Sequence, residues 1–201
     1  MLDVVSLAFE YEDKILFQGI NLSISAGTLL HVQGKNGAGK TTLLKLIAGL
    51  ILPASGDIYW QGKAIHHQLN WYQAQVCYVG HKSGLCAALT VKESIVFDLK
   101  TATSLKNLED KLVAFNLWHL VYHRCGVLSA GQKRKVALMR PLLSTTALWL
   151  LDEPFTALDK PSIALLTHYL LAHLRSGGSI VVTAHHDLPY ELNPYLTTYT
   201  L

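Results

Sequence analysis

The stretch Gly34-Lys35-Asn36-Gly37-Ala38-Gly39-Lys40-Thr41-Thr42 decides how the rest of this chain is interpreted. It contains the full pattern G-x-x-x-x-G-K-[ST] of a phosphate-binding loop, or P-loop. An apolar run of strand length precedes it at 28–33, and apolar residues recur at helical spacing over 40–50. Because a P-loop joins a strand to a helix, this context favours the motif over a chance glycine-rich turn.

Each residue type in this loop suits a bound phosphate. Glycines at 34, 37 and 39 allow several backbone N–H groups to turn inward toward an anion. The helix that starts near Gly39 adds its partial positive charge. Lys40 is long enough to reach the β- and γ-phosphates, and the Thr41 hydroxyl is a suitable ligand for Mg²⁺. We therefore predict a site for ATP with Mg²⁺.

Composition predicts a substantial core and excludes several classes of protein. Half of the 201 residues are hydrophobic and the mean hydropathy is +0.26, which indicates apolar surface meant for a partner. The net charge is +3 with scattered basic residues, so nucleic acid is not expected as a partner. No apolar run reaches about 18 residues, so we expect no membrane span. The acidic N-terminus does not match a signal peptide, and three cysteines without C-x-x-C indicate reduced thiols rather than a metal site.

The remaining pattern predicts strands and helices around the P-loop. Strands are expected at 4–10, 21–25, 58–60, 63–65 and 76–80. Turns are expected around 12–14 and 53–57, where turn-forming residues cluster. From about 85 to 143 the pattern is mainly helical, including 105–120. We expect this block to be a helical subdomain inserted into an α/β core.

Two helix starts within this block have a capping-box pattern. Thr90 and Glu93 form the first, and Ser129 and Gln132 form the second. The second helix start is also a ready anion site, although these residues taken alone are better explained by an ordinary helix cap. We expect Pro141 to end or kink this helix, because it lacks an N–H and clashes with the preceding turn.

Two adjacent carboxylates follow a buried strand at 147–151. Asp152 and Glu153 are costly in that position unless they face a ligand or metal. Ligands of open α/β sheets bind at the carboxyl ends of the strands. We predict that Asp152 holds Mg²⁺ through water and that Glu153 orients and deprotonates an attacking water.

The last part of the chain adds a further strand and a histidine at the same level. We expect 179–183 to be the last core strand, and His185 beyond it to contact phosphate. Asp159 precedes a helix that ends at a glycine pair. Near the N-terminus, Tyr11 is either a strand aromatic that covers the core or a platform on which a base stacks.

The P-loop, LSAGQ at 128–132, LWLLDEP at 148–154, ALD at 157–159 and TAH at 183–185 together resemble the nucleotide-binding domain of ABC ATPases. The resemblance covers essentially the whole chain. It implies an α/β fold with a P-loop NTPase core, an antiparallel β subdomain and an inserted α-helical subdomain. It also implies a single domain over 1–201, with the helical part at about 85–143.

The resemblance assigns a role to each motif. It implies that Tyr11 stacks on adenine and that ATP hydrolysis uses Glu153 with the switch histidine His185. It implies that the γ-phosphate is contacted by the signature loop of a second copy, in a head-to-tail dimer. The signature residues are Ser129, Gly131 and Gln132, the D-loop residue is Asp159, and the Mg²⁺ ligands are Thr41 and, through water, Asp152. The P-loop residues are Gly34, Lys35, Asn36, Gly37, Ala38, Gly39, Lys40, Thr41 and Thr42.

A narrower resemblance rests on WQGKAIHH at 60–67, YVGHKSGL at 78–85, LSAGQKRKVAL and LWLLDEPFTALD. These stretches are similar to ATP-binding subunits of the ABC complex that handles haem in bacterial cytochrome c maturation. His81 stands where the wider family usually has Gln, which is typical of that subfamily, and we expect its loop to couple the site to a membrane partner. The resemblance implies a membrane subunit of the CcmB type and, more loosely, CcmC and the haem chaperone CcmE. It places the chain peripherally on the cytoplasmic face of the bacterial inner membrane.

Three other functions are less well supported. The first is the ATP-binding subunit of a different small ABC transporter. The second is a soluble ABC ATPase that acts on ribosomes or DNA, but those chains resemble tandem or coiled-coil-inserted proteins. The third is a nucleotide sensor without turnover, which the presence of Glu153 and His185 disfavours. A haem site at His66-His67 is also disfavoured, since the chain lacks C-x-x-C-H.

Overall fold

The computed structural model describes residues 1–12, 14–99 and 107–201. The strands in this part of the chain are β1 Leu2–Tyr11, β2 Lys14–Ile24, β3 Leu29–Gln33, β4 Ser55–Trp60, β5 Lys63–Ala64, β6 Val76–Val79, β7 Leu148–Asp152, β8 Ser179–Thr183 and β9 Leu196–Thr200. The α-helices are α1 Lys40–Ile47, α2 Leu69–Gln73, α3 Val91–Asp98, α4 Leu108–Ala114, α5 Ala130–Leu143 and α6 Lys160–Arg175. The predicted α/β fold with its antiparallel and helical parts is confirmed.

A parallel sheet with the strand order β6-β7-β8-β3-β9 forms the centre of the fold. β7 and β8 are buried along their full length, as expected for parallel strands covered on both faces. Alternate side chains of these strands enter two different apolar clusters, one shared with α1 and β1 and the other with α5 and α6. The carboxyl ends of β3, β7 and β8 therefore lie side by side at one edge of the sheet.

The prediction that 179–183 is the last strand of the core is wrong. β9 follows it and pairs in parallel with β3 at the sheet edge. Its sequence LTTYT leaves three of five residues exposed, so it lacks the continuous apolar run by which central parallel strands are recognised. The Leu201 N–H extends this pairing to the Gln33 carbonyl at 3.0 Å.

The second sheet is antiparallel, with the order β2-β1-β4-β5, and it includes the predicted hairpin of β4 and β5. The predicted turn at 53–57 is partly wrong, because β4 already begins at Ser55. Gly56 has a φ of 83° and faces a register shift of β1, where a Cβ would lie 2.4 Å from the Ser6 carbonyl oxygen. The glycine that suggests a turn is thus part of an irregular strand pair.

β2 is longer than predicted. It begins at Lys14 rather than at 21, and several of its added residues are exposed, which weakens the alternation that predicts strands. Gly19, with a φ of 67°, lies within this stretch and suggests a turn in the sequence. Of the predicted turn at 12–14, Asp13 lies outside the described residues.

The helical block has both predicted capping boxes. Thr90 Oγ1 accepts the Glu93 N–H at 3.2 Å, and the Glu93 carboxylate accepts the Thr90 N–H at 2.8 Å. Ser129 and Gln132 form the same reciprocal pair at the start of α5. Residues 100–106 of the predicted subdomain lie outside the described part of the chain, and no helix within the described part is long and apolar enough to cross a membrane.

Two predictions inside this block need correction. Pro141, which was expected to end or kink α5, does not end it, because the helix continues to Leu143. Only two residues follow Pro141 in α5, so the missing N–H bond and the clash with the preceding turn disturb one point near the helix end without stopping the final turn. The stretch 105–120 is not one helix, since α4 ends at Ala114 and Asn116 has a φ of 55°. The left-handed conformation of Asn116 stops the helix. Residues 105 and 106 of the predicted helix lie outside the described part of the chain.

Candidate functional site

The P-loop at 34–42 leaves β3 and enters α1, as the sequence predicts. Gly39, the residue before the helix, has a φ of 100°. A Cβ at this position would lie 2.9 Å from the side chains of Leu16 and Phe17. Glycine is required here because both the backbone conformation and the close contact disfavour a side chain.

Lys40 folds back onto the P-loop. Its Nζ donates to the carbonyl oxygens of Gly34 at 2.7 Å and Lys35 at 3.1 Å, and the residue is 8% exposed. The Ala38 N–H closes the same loop on the Lys35 carbonyl at 3.1 Å. The carbonyls replace the water that a buried ammonium loses. The lysine charge therefore lies beside the N–H groups that favour an anion.

Asp152 is buried at the end of β7 and joins three segments of the site. Its Oδ2 accepts the Thr41 hydroxyl at 2.7 Å and its Oδ1 accepts the Thr183 hydroxyl at 2.6 Å. Thr183 was not among the predicted site residues. The only feature of the sequence that could indicate a role for Thr183 is its position as a polar residue at the end of the strand that precedes His185.

Arg134 is a further buried residue that sequence reasoning missed. Its guanidinium donates to the backbone carbonyls of Asp152, of Gly80 at 2.8 Å and of Pro154 at 3.4 Å. Burial lowers the pKa of Arg134, and the Asp152 carboxylate partly opposes this. Since Arg134 lies in the basic run 133–135, whose other residues are partly exposed, the sequence gives no sign that it differs from them.

Glu153 turns out of the strand direction directly after Asp152. Its φ is 53°, and its N–H donates to the carbonyl oxygen of Thr183 at 3.1 Å and to the hydroxyl at 3.0 Å. Its carboxylate lies 2.7 Å from His185 Nε2 and 3.4 Å from His81 Nδ1, and the Thr156 hydroxyl donates to it at 3.3 Å. The structure thus brings the predicted base together with both predicted histidines.

A cavity of about 300 Å³ connects these groups with the P-loop. It is lined by Tyr11, Leu16, Asn36, Gly37, Gly39, Lys40, Thr41, Thr42, Glu153 and His185. Tyr11 is 52% exposed, its ring packs edge-on against Phe9, and its hydroxyl lies 3.5 Å from Thr42 Oγ1. The exposed ring face is therefore available to a ligand. Leu16, which also lines the cavity, has no signal in the sequence.

Glu153 also lines a second cavity, of about 370 Å³. The other lining residues are His81, Lys82, Ser83, Ala130, Lys133, Arg134, Thr156 and Ala157. The side chain of His81 is 60% exposed while that of Glu153 is 13% exposed. Glu153 thus lies between the P-loop cavity and this second cavity, which is lined by the basic residues Lys82, Lys133 and Arg134.

The predicted signature residues do not line the P-loop cavity of their own chain. Ser129 and Gln132 are paired with each other in the capping box. Gly131 packs on the backbone before Asp159, because a Cβ there would lie 2.6 Å from the Ala157 carbonyl oxygen. Within a single chain, these residues therefore lie apart from the cavity in which the γ-phosphate is expected.

Asp159 begins α6 as its N-cap. Its carboxylate accepts the Ser162 N–H at 3.1 Å and pairs with Lys135 Nζ at 3.1 Å. The hydrogen bond from Ser162, followed by that from Lys135, lowers the pKa of Asp159 to about 2. In the isolated chain, the predicted D-loop aspartate is thus a helix cap joined to the signature helix α5.

The oxygen atoms beside the P-loop suit Mg²⁺. Thr41 and Asp152 offer one hydroxyl and one carboxylate, which are hard ligands of the kind this cation prefers. Among the described residues, no cluster of three or more His, Cys, Asp or Glu side chains forms a metal cage. This donor set fits a cation that takes its other ligands from phosphate and water.

The sequence over residues 17–156 matches the ABC transporter family. It is 45% identical over 195 residues to the cytochrome c biogenesis ATP-binding export protein CcmA of Legionella pneumophila, covering 97% of this chain and 98% of the relative. Identity to the CcmA proteins of Methylococcus capsulatus and Salmonella typhi is 42% and 37%, over 88% and 94% of this chain and 86% and 91% of those proteins.

Solved structures have the same fold. The ATP-binding subunit of an ABC transporter superposes with a TM-score of 0.87 at 25% identity, over 98% of this chain and 85% of that one. A putative ABC transporter ATP-binding protein from Pyrococcus furiosus gives a TM-score of 0.79 at 24% identity, over 100% and 96%. The predicted ABC ATPase fold is thereby confirmed.

The Thr183 hydroxyl is expected to stabilise the buried carboxylate at the centre of the site. Thr183→Val keeps the shape but leaves Asp152 one donor short, so the free energy of unfolding should fall by about 1–3 kcal/mol in urea titrations. Thr167→Val is the matched control, since Thr167 is 4% exposed and donates only to the Ile163 carbonyl within α6. An equal loss in both variants would contradict a special role for Thr183.

Proposed function

The chain belongs to the ABC transporter family, and from this we propose that it is the ATP-hydrolysing subunit of an ABC complex for cytochrome c maturation, where it drives membrane subunits that handle haem. The observation that carries the proposal is the likeness to CcmA proteins over nearly the full length of both chains. The P-loop, the paired carboxylates and the switch histidine supply the chemistry.

ATP binds in the cavity between Tyr11 and the P-loop. The N–H groups at 34–42 and the start of α1 hold the phosphates, and Lys40 exchanges its loop carbonyls for phosphate oxygens. The exposed face of Tyr11 stacks on adenine. Mg²⁺, held by Thr41 and by Asp152 through water, would neutralise charge on the β- and γ-phosphates.

Glu153 acts as the general base. Its carboxylate lies on the wall of the cavity, where it takes a proton from the water that attacks the γ-phosphate. His185 Nε2 lies 2.7 Å from Glu153 Oε1, a contact that helps to hold the carboxylate in place. Because His185 lines the same cavity, it also lies within reach of the transferred phosphate.

A second copy of the chain completes the site. Ser129, Gly131 and Gln132 lie outside the lining of their own cavity, which supports a head-to-tail dimer where they meet the partner's γ-phosphate. Asp159, next to the signature helix through Lys135, lies at the same contact. Two ATP molecules are then enclosed between the chains.

The loop at His81 couples this site to a membrane subunit. His81 is largely exposed yet lies 3.4 Å from the base Glu153, so movement of its loop reaches the reacting group. The partner is an integral membrane subunit of the CcmB type, with CcmC and CcmE as further members. The ATPase lies peripherally on the cytoplasmic face of the bacterial inner membrane.

Replacing the base should separate ATP binding from turnover. Glu153→Gln keeps the side chain's shape and removes its basicity, so kcat should fall by about 100-fold or more. With ATP present, the variant should then accumulate as a dimer that size-exclusion chromatography detects. Without hydrolysis, the ATP-bound dimer is no longer converted back to separate chains. Glu109→Gln, on the exposed side of α4, is the charge-matched control and should retain activity. Near-normal turnover by Glu153→Gln would make the assignment wrong.

The adenine platform is tested by two substitutions at one position. A stacked ring contributes about 1–3 kcal/mol, so Tyr11→Ala should weaken ATP affinity by about tenfold or more. Tyr11→Phe keeps the ring and should bind ATP nearly as wild type in calorimetric titrations. An equal loss in both variants would implicate the hydroxyl and its Thr42 contact instead of stacking.

The biological output is tested in cells whose only copy carries Lys40→Ala. We expect no detectable c-type cytochromes, together with accumulation of the haem-loaded chaperone, because the membrane partner needs ATP-driven differences in affinity to change state. Lys14→Ala, an exposed lysine of β2, is the control and should leave cytochromes normal. Normal cytochromes in Lys40→Ala cells would assign the chain to another transporter or a soluble ATPase. We propose that the step driven by ATP is release of the haem-loaded chaperone for delivery to apocytochrome. A chaperone found empty of haem would instead indicate that the complex supplies or exports haem.

A further inference from the structure

His31 is a buried polar residue that the proposed hydrolysis step leaves unused. It lies in the middle of β3, is 3% exposed, and shares a sheet face with Leu29 and Gln33 because side chains alternate along a strand. An imidazole in such a position loses free energy unless its nitrogens are paired. The two partners of its ring therefore indicate why a histidine is there.

Both ring nitrogens of His31 have partners. Nε2 lies 3.4 Å from the Ala184 carbonyl oxygen, and Nδ1 lies 3.3 Å from the amide nitrogen of Gln33. A carbonyl only accepts, so Nε2 carries the proton and Nδ1 accepts from the Gln33 amide. Burial is the main cause that lowers the pKa of His31, with the Ala184 carbonyl and Asp187 partly opposing it. A lowered pKa favours the neutral ring that this pattern requires.

The His31 contact lies at Ala184, the residue directly before the proposed phosphate-contacting residue His185. β8 ends at Thr183, so Ala184 is the first residue of the loop that carries His185. The side chain of His185 is 44% exposed and is held by its contact with Glu153 Oε1. With so much of the ring in solvent, its direction depends on the peptide that carries it.

We infer that His31 is a positioning residue whose Nε2–H fixes the Ala184 carbonyl and thereby holds His185 against Glu153. The inference rests on the proposed function, because it places His31 behind the hydrolysis step assigned to Glu153 and His185. His31 does not line the nucleotide cavity, so its effect passes through the backbone.

Three variants of His31 separate the hydrogen bond from packing. In His31→Gln the amide nitrogen reaches about as far as Nε2 and donates to Ala184, whereas in His31→Asn it ends short of that position. His31→Leu keeps the volume and donates nothing. We expect His31→Gln to keep most of kcat, and the other two to lose about tenfold, as for one lost hydrogen bond. The KM for ATP should change by less than about twofold, because the cavity lining is intact.

A second measurement does not depend on turnover. The ¹⁵N signals of the His185 ring, assigned with His185→Gln, report its contact with Glu153 in the nucleotide-free chain. Wild type and His31→Gln should give the signals of a bonded ring, and His31→Asn and His31→Leu should move toward free imidazole. If the wild type hydrolyses no ATP, the proposed function fails while these signals still test the position of His185.

Two results would overturn the inference. One is wild-type kcat and unchanged His185 signals in His31→Asn and His31→Leu. The other is a loss of kcat in all three variants that follows their loss of unfolding free energy in urea, since His31 would then support only the fold. If His31→Leu fails to fold, the comparison of His31→Gln with His31→Asn still decides between these outcomes.

Discussion

The arrangement of the site depends on the hydrogen bonds that the buried carboxylate of Asp152 accepts. It accepts hydroxyls from Thr41 at the start of α1 and Thr183 at the end of β8, so three segments meet at one side chain. An ionised carboxylate that is 1% exposed needs such charge-assisted bonds to offset its lost hydration. Because Thr41 already donates to Asp152, a cation bound at this position would exchange one set of oxygen contacts for another.

Thr183 joins the two carboxylates that follow each other in the chain. Its hydroxyl donates to Asp152 and accepts the Glu153 N–H, while its carbonyl accepts the same N–H. In a regular strand, Glu153 would point to the opposite face from Asp152. Its left-handed backbone, which costs about 1–3 kcal/mol, turns it instead toward the two cavities. One threonine therefore supports both the pairing of the buried Asp152 carboxylate and the strained turn that presents the proposed base, Glu153.

The parts of the fold that could be predicted from the sequence are those with a local signature. The P-loop, the two capping boxes and the apolar strand before Asp152 each have residue types that only one local structure explains. β9 has no such signature, because an edge strand need not be apolar on both faces. Arg134 and His31 could not be predicted for a related reason. The partners of Arg134, and the Ala184 partner of His31, are backbone carbonyls, and a carbonyl has no residue type to recognise. Contacts of that kind emerge only when distant segments are folded together.

Within one chain, side chains on both halves of the proposed composite site are paired with neighbouring groups. Lys40 bonds to its own loop carbonyls, and Ser129 and Gln132 close their own capping box. A triphosphate offers charged acceptors, whose hydrogen bonds are about twice as strong as those to neutral ones. In the proposed dimer, the phosphates of ATP would thus favour exchange of the Lys40 contacts and attract the N–H groups at the start of the second chain's signature helix. Association would then depend on the bound nucleotide and weaken once the γ-phosphate is lost.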